Sequence, residues 1–188
     1  MNFNEINISS DLKRKIKKAG FTDLTTIQEK CIPEIIESKD VVGQAETGSG
    51  KTLAFCLPLL EKIKKGMGIQ VVVLTPTREL CHQVSEVFSE FGRDLGIKTT
   101  SIYGGVAIDP QIKNLRISEV VVATPGRLLD HIRRRTIDLR KMRFLVLDET
   151  DRMLDMGFID DVEKIISNMP KNRQTLMFSA TIKNTMHN

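Results

Sequence analysis

Tryptophan is absent from these 188 residues and tyrosine occurs once. A core must therefore be closed with aliphatic side chains and phenylalanine, and an indole platform for stacking ligands is excluded. Cysteine is scarce: Cys31, Cys56 and Cys81 are odd in number, far apart and free of CxxC or Cys/His spacing. That excludes a disulfide framework and a cysteine metal site, and implies reduced, buried thiols in a cytoplasmic chain. No apolar run approaches the roughly 20 residues that a membrane helix needs, and the first residues carry no apolar signal region. No membrane partner is expected. A strong charge imbalance is also missing, since the net charge is +4; this permits nucleic acid without requiring it. Internal repeats and low-complexity linkers are lacking too. The length fits one domain with a real core, expected as a monomer.

What the chain does have is Val41-Val42-Gly43-Gln44-Ala45-Glu46-Thr47-Gly48-Ser49-Gly50-Lys51-Thr52 followed by the apolar-periodic run Leu53–Leu60. Val41-Val42 reads as the end of a buried strand, residues 45–50 as a small-residue turn, and Leu53–Leu60 as a helix. Strand, glycine-rich turn and helix together make a phosphate loop. Gly48 and Gly50 let the backbone approach phosphate oxygens. The loop N–H groups and the positive end of the helix face the anion. Lys51 adds a point charge for the β- and γ-phosphates, and the Thr52 hydroxyl can ligate Mg²⁺.

Ahead of the loop, Phe3–Gly20 reads as a lead-in and a helix capped by Ser9 or Ser10, and Thr26–Ser38 as a second helix containing Pro33. The cluster Lys13, Arg14, Lys15, Lys17 and Lys18 reads as a solvated face, and Arg133-Arg134-Arg135 as a solvated helix end. After the loop, apolar strands alternate with helices. Strands are expected at 70–75, 99–103, 120–123, 144–147 and 174–178, and helices at 79–91, 109–115, 126–134 and 159–169. The strands read as continuous apolar runs rather than alternating ones, as in a parallel sheet covered on both faces. The pattern predicts an α/β domain, doubly wound, with ligands beyond the carboxyl ends of the strands. The unusual residues cluster at those ends. Among them, Leu145-Val146-Leu147 delivers Asp148 and Glu149, the pair that nucleotide hydrolysis needs: one carboxylate to hold Mg²⁺, one to orient the attacking water.

Seven short segments then carry a family resemblance. They are Gly20-Phe21…Ile27-Gln28, the loop Ala45–Thr52, Pro76-Thr77-Arg78-Glu79-Leu80, Gly104-Gly105, Thr124-Pro125-Gly126-Arg127, Asp148-Glu149-Thr150-Asp151 and Ser179-Ala180-Thr181. In this order the chain resembles DEAD-box RNA helicases over nearly its whole length, and specifically the first of their two RecA-like domains. The resemblance implies a RecA-like P-loop fold with a mostly parallel sheet and helices on both faces. Residues 1–38 would form a lead-in holding the adenine-reading glutamine, and residues 39–188 the ATP-binding domain. ATP and Mg²⁺ are the implied cofactors. Gln28 would read the adenine edge and Phe21 stack on the base. Ala45, Glu46, Thr47, Gly48, Ser49, Gly50, Lys51 and Thr52 would hold the phosphates. Thr52 and Asp148 would serve the metal, and Lys51, Asp148 and Glu149 catalysis. Pro76, Thr77, Arg78, Gly105, Thr124, Gly126 and Arg127 would lie along RNA. Asp151, Ser179 and Thr181 would couple the site to domain closure. Thr124 and Pro125 equally suit a helix cap and first turn.

Four positions depart from the family pattern. Thr150 stands where alanine is usual, and little effect is expected. Leu24 and Thr26 replace common prolines before the glutamine. Glu46 replaces a commoner Gln and should point away from the phosphates. No second RecA-like segment follows residue 188, so the chain reads as a fragment whose partner domain lies in the same full-length chain. The implied function is ATP-dependent RNA unwinding. The alternatives are an ATP-gated RNA clamp, which uses the same motifs, and a DNA translocase, against which Gln28 and Thr124–Arg127 argue.

Overall fold

The computed structural model describes residues 1–181. Among these, six strands form one wholly parallel sheet: β1 (Val41–Gln44), β2 (Val71–Leu74), β3 (Thr99–Ile102), β4 (Val120–Ala123), β5 (Phe144–Leu147) and β6 (Gln174–Ser179), in the spatial order β1-β6-β5-β2-β4-β3. The helices are α1 (Ser10–Lys18), α2 (Thr26–Ile36), α3 (Lys51–Lys62), α4 (Arg78–Gly92), α5 (Asp109–Leu115), α6 (Pro125–Arg133), α7 (Thr150–Asp155) and α8 (Ile159–Ser167), with short 3₁₀ turns at Phe3–Glu5 and Arg93–Leu95.

The apolar runs of the central strands follow from two-sided burial. Val71, Val73, Val120, Val122, Phe144 and Val146 pack into one core with α1 to α4, while Val72, Leu74, Val121, Ala123, Leu145 and Leu147 pack into another with α6, α7 and α8. Successive side chains point to opposite faces, so a strand buried on both has no polar positions left. Without tryptophan, the first core is filled by phenylalanine: Phe55 lies between Phe88 and Phe178, with ring centroids 6.1 and 5.2 Å away. Such tilted pairs add about 0.5–1.5 kcal/mol beyond area burial. All three cysteines are buried and free, and burial pushes the Cys81 thiol up to about 11.

The first strand differs from expectation. Val41-Val42 does not end a buried strand: β1 is at the sheet edge, and Val42 is 54% exposed. Gly43 is the buried residue of β1, because a Cβ there would lie 2.6 Å from the Phe178 ring on β6. Helix α7 is also unforeseen. Its six residues are too few to show periodicity, and it starts directly after Glu149.

The basic lead-in is the solvated face expected, with Arg14, Lys17 and Lys18 exposed, though three of its side chains have partners. Ser9 caps α1, Lys13 donates to the Asn4 carbonyl, and Arg14 and Lys15 pair with Asp11 and Asp94. The loop before α2 is held without prolines. Leu24 N–H donates to the Met1 carbonyl at 2.9 Å and Phe3 N–H to the Thr22 carbonyl at 3.2 Å. A proline at position 24 could not make the first of these bonds.

Thr150 does more than its small size implied. Its buried hydroxyl lies 3.3 Å from both the Leu147 and the Phe178 carbonyls, joining the ends of β5 and β6. Thr150→Ala is expected to lower stability by about 0.5–1.5 kcal/mol. Urea unfolding checks this, and an unchanged midpoint would show that the hydroxyl contributes nothing.

Candidate active site

Three loops from different parts of the chain meet at the carboxyl ends of the strands around a cavity of about 510 Å³. It is lined by Phe21, Thr25 and Gln28 from the lead-in, Thr47, Gly48, Gly50, Lys51 and Thr52 from the loop after β1, and Asp148 and Glu149 after β5. Strand order explains the meeting: β6 lies between β1 and β5, so both loops open on one edge. Ala45, Glu46 and Ser49 do not line this cavity. Ala45 N–H is tied to the Ser179 carbonyl at 3.1 Å, and the Glu46 carbonyl accepts from Ser49 N–H at 3.2 Å, closing the turn. The exposed Glu46 is thus a turn former.

The loop backbone has the form that its glycines permit. Gly48 and Gly50 have φ of +81° and +87°. A Cβ on Gly48 would meet nothing within 4 Å, leaving open space beside the cavity. A Cβ on Gly50 would sit 2.5 Å from Gln28 Nε2. Gly50 is also the N-cap of α3 and brings no side-chain cap, so the first-turn amides keep their donors. The Ser49 hydroxyl is buried without a hydrogen-bond partner. Lys51 is 9% exposed and forms no ion pair among the described residues. Uncapped amides and an unpaired, desolvated ammonium at one helix start suit a polyphosphate.

Gln28, 3% exposed, works first as a clamp. Its Oε1 accepts from Thr25 N–H at 2.9 Å, completing the capping box of α2, and its Nε2 donates to the Gly50 carbonyl at 3.1 Å. A primary amide offers two donors and two acceptor sites. One of each therefore remains, which is the complement of an adenine edge. Phe21, 44% exposed, stands at the mouth of the same cavity.

The carboxylates are treated differently. Asp148 is 3% exposed, and burial pushes its pKa up to about 6, against an opposing pull from Lys51 and with a further push from Glu149. Glu149 adopts a left-handed φ of 49° and accepts from Arg152 Nη1 at 2.9 Å. This left-handed turn starts α7 just after the strand, and Arg152 pairs with the carboxylate. Among the described residues no group of three or more His, Cys, Asp or Glu side chains could form a metal cage. Mg²⁺ needs none, because it is commonly held by one or two carboxylates with substrate phosphates and water. The hydroxyl and carboxylate of Thr52 and Asp148 are hard oxygen donors that fit it.

A pH effect on stability follows. From the ordinary aspartate value of about 3.8 up to about 6, folded Asp148 keeps a proton that the unfolded chain has lost. Stability in Mg²⁺-free buffer should therefore fall as pH rises through this window, by the order of 3 kcal/mol for two pK units, and stay lower at neutral pH. Asp148→Asn should raise the melting temperature at pH 7.5 but not at pH 4. A variant that melts below the parent at pH 7.5 would show the carboxylate to be stabilising.

The remaining candidates lie along the same edge. Pro76 is buried, so it is not at the surface where the resemblance would put it. Thr77 caps α4 by accepting from Leu80 N–H at 3.2 Å, and its own hydroxyl hydrogen is left to donate. Arg78 lies over the Tyr103 ring at 4.7 Å. Gly105 is exposed with φ +80°, and Gly126 is exposed in the first turn of α6. Thr124 is the N-cap of α6 but makes no side-chain capping bond, leaving the first amides of that helix without one. Arg127 is not a free cation: its Nη1 donates to the Val106 carbonyl at 3.0 Å and to Gln111 Oε1 at 3.2 Å, tying the Gly104-Gly105 loop to α6. The Gln111 link extends to His131 Nε2 at 2.9 Å, a contact that nothing in the spacing of these residues could announce. At the end of β6, Asp151 accepts from the Thr181 hydroxyl at 3.1 Å and from its N–H at 3.3 Å, while Ser179 Oγ donates to the Thr181 carbonyl. Burial alone would raise Asp151, but the hydrogen bonds it accepts, those from Thr181 among them, outweigh it and hold the carboxyl below the usual range.

Comparison with known proteins matches this arrangement. Residues 25–188 match the DEAD/DEAH box helicase family. The chain is 54% identical over 97% of its length to the DEAD-box ATP-dependent RNA helicase CshA of Streptococcus pneumoniae, covering 35% of that protein. It is 52% identical over 96% of its length to CshA of Bacillus subtilis, covering 37%. The chain thus spans about a third of the length of these curated relatives. A crystal structure of a DEAD box protein from the hyperthermophile Methanococcus jannaschii superposes with a TM-score of 0.97 at 46% identity, covering 99% of this chain and 52% of that one. With the family match over most of the chain and the phosphate loop, Gln28 and the Asp148-Glu149 pair around one cavity, the protein belongs to the DEAD/DEAH box helicase family.

Proposed function

We propose that this chain is the ATP-binding, first RecA-like domain of an ATP-dependent RNA helicase, with residues 1–38 as its adenine-reading lead-in and residues 39–188 as the domain proper. The observation that carries this reading is the single cavity shared by Gln28, Lys51 and the Asp148-Glu149 pair. In it the adenine would lie between Phe21 and Gln28, and the phosphates on the amides of 47–52 and on Lys51. Asp148 and Thr52 would hold Mg²⁺, which neutralises developing charge on the phosphates. Glu149 would orient water in line with the γ-phosphate. Thr77, Arg78, Gly105, Thr124 and Gly126 would meet the RNA backbone through amides, hydroxyls and one guanidinium, which suits phosphate contact without base reading. Buried Pro76 and engaged Arg127 would support that surface from behind. Asp151, Ser179 and Thr181 would transmit closure of a second domain to Glu149 two residues away.

The Gln28 clamp supplies the test. Gln28→Ala should weaken ATP and erase its preference over GTP, since an unpaired base edge costs about 1–3 kcal/mol. It should also weaken both nucleotides, because the variant frees the Gly50 carbonyl and the phosphate loop. Calorimetric titration of both nucleotides into parent and variant reads the two effects separately. A parent chain that binds GTP as well as ATP would refute adenine reading at this site.

A further inference from the structure

The opposite edge of the sheet carries a second feature. Three cavities of about 320, 510 and 200 Å³ lie where the strands begin, four-residue strands away from the phosphate loop. They are neighbours: Lys141 lines the first and second, and Arg143 and Asn172 line the second and third. Their walls hold Lys64, Arg116, Arg135, Lys141, Arg143 and Arg173. None of these six forms an ion pair among the described residues. Asp138 is the one carboxylate in the walls, and it is taken by Arg140 at 3.0 and 2.9 Å. The nearby Glu119 is buried and spent on the N–H groups of Gly66 and Lys98. Arg173 Nε is buried and has no partner. A net charge of only +4 over the whole chain makes this concentration a local choice.

We propose that this basal groove binds the phosphodiester backbone of RNA, at a site separate from the proposed RNA edge by Arg78 and Gly126. A series of cations without ion pairs along adjoining cavities matches a linear polyanion. Its walls offer no exposed aromatic for base stacking, since Phe144 is buried beneath Arg143 at 5.2 Å, so binding is indifferent to sequence. It requires neither nucleotide nor a second domain. Its role is to retain RNA on the chain while the other edge is open.

The test uses a fluorescein-labelled 20-nucleotide oligouridylate and the 188-residue chain without nucleotide, followed by anisotropy from 50 to 200 mM salt. The double variant Arg116→Glu, Lys141→Glu changes two exposed side chains outside the nucleotide cavity. It should bind the RNA about tenfold or more weaker at low salt, and flatten the salt slope by about 1.4, at 0.7 per lost phosphate contact. Its ATP affinity should be unchanged. Arg78→Ala should retain nucleotide-free RNA binding. On the parent chain, RNA should protect Lys64 and Lys141 from acetylation while Lys17 and Lys18 stay reactive, a readout that needs no variant to fold. Equal RNA binding by the double variant would overturn the proposal, as would loss of binding in Arg78→Ala alone. Displacement of the RNA by equimolar polyglutamate would instead make the groove a dock for acidic protein segments and would also overturn it. ATP binding that persists in every variant separates these failures from failure of the nucleotide site.

Discussion

Lys51→Ala is expected to abolish measurable binding of ATP and ADP and to leave the fold intact. Lys51 is the cation lining the cavity, and neither Asp148 nor any other described carboxylate pairs with it closely enough to compete for phosphate. Hydrogen bonds to charged groups contribute about 1.5–3 kcal/mol each, and one ammonium can serve two phosphate groups. The loss should thus reach a hundredfold or more in Kd. The fold should survive because Lys51 is the first residue of α3, where alanine is a good helix former, and because the substitution removes a desolvated charge. Removing it should also release the pull on Asp148 and raise that carboxyl further. Calorimetry gives the affinity and thermal unfolding the control. Unchanged nucleotide affinity in a folded variant would place the phosphates elsewhere.

A second large effect concerns turnover. No arginine lines the cavity among the described residues, and Arg152, next to it in sequence, is bound to Glu149. An arginine on the transferred phosphate is worth roughly 10³–10⁵ in rate. The chain alone is therefore expected to hydrolyse ATP barely above background, with little stimulation by RNA and no duplex separation. Joining it to a second RecA-like domain in one chain should raise RNA-stimulated phosphate release by a factor in that range. In the extended protein Glu149→Gln should remove turnover while ATP still binds. Robust RNA-stimulated turnover by the 188-residue chain would show that the stabilising cation comes from within it.

Much of this was legible in residue order. Apolar runs over 71–74, 120–123 and 144–147 announced buried parallel strands because both faces of each are covered. Gly48, Gly50, Lys51 and Thr52 placed a strand–turn–helix junction whose spacing few chemistries other than phosphate binding need. What stayed hidden depends on contacts between distant segments. Val42 is an apolar residue on an edge strand, and edge position is a property of sheet order rather than of sequence pattern. Thr150 reads in the sequence as a small substitute, whereas in the fold its hydroxyl meets carbonyls at the ends of both β5 and β6. The role of Gln28 as a clamp on Gly50 spans 22 positions, and Arg127 is drawn inward by Gln111, 16 positions earlier. The basal groove gathers cations from segments scattered between Lys64 and Arg173, so the Arg133-Arg134-Arg135 run marks one of its members, Arg135, and not the groove.

The central claim is that the cavity shared by Gln28, Lys51 and Asp148 holds Mg²⁺-bound adenine nucleotide. Amide resonances of the ¹⁵N-labelled chain, titrated with Mg-ATP, test it most directly. Shifts concentrated at residues 21–28, 47–52 and 148–149, with residues 116, 135, 141 and 143 at the opposite edge unmoved, are the predicted result. Shifts centred on any other part of the chain, with residues 47–52 unmoved, would contradict it.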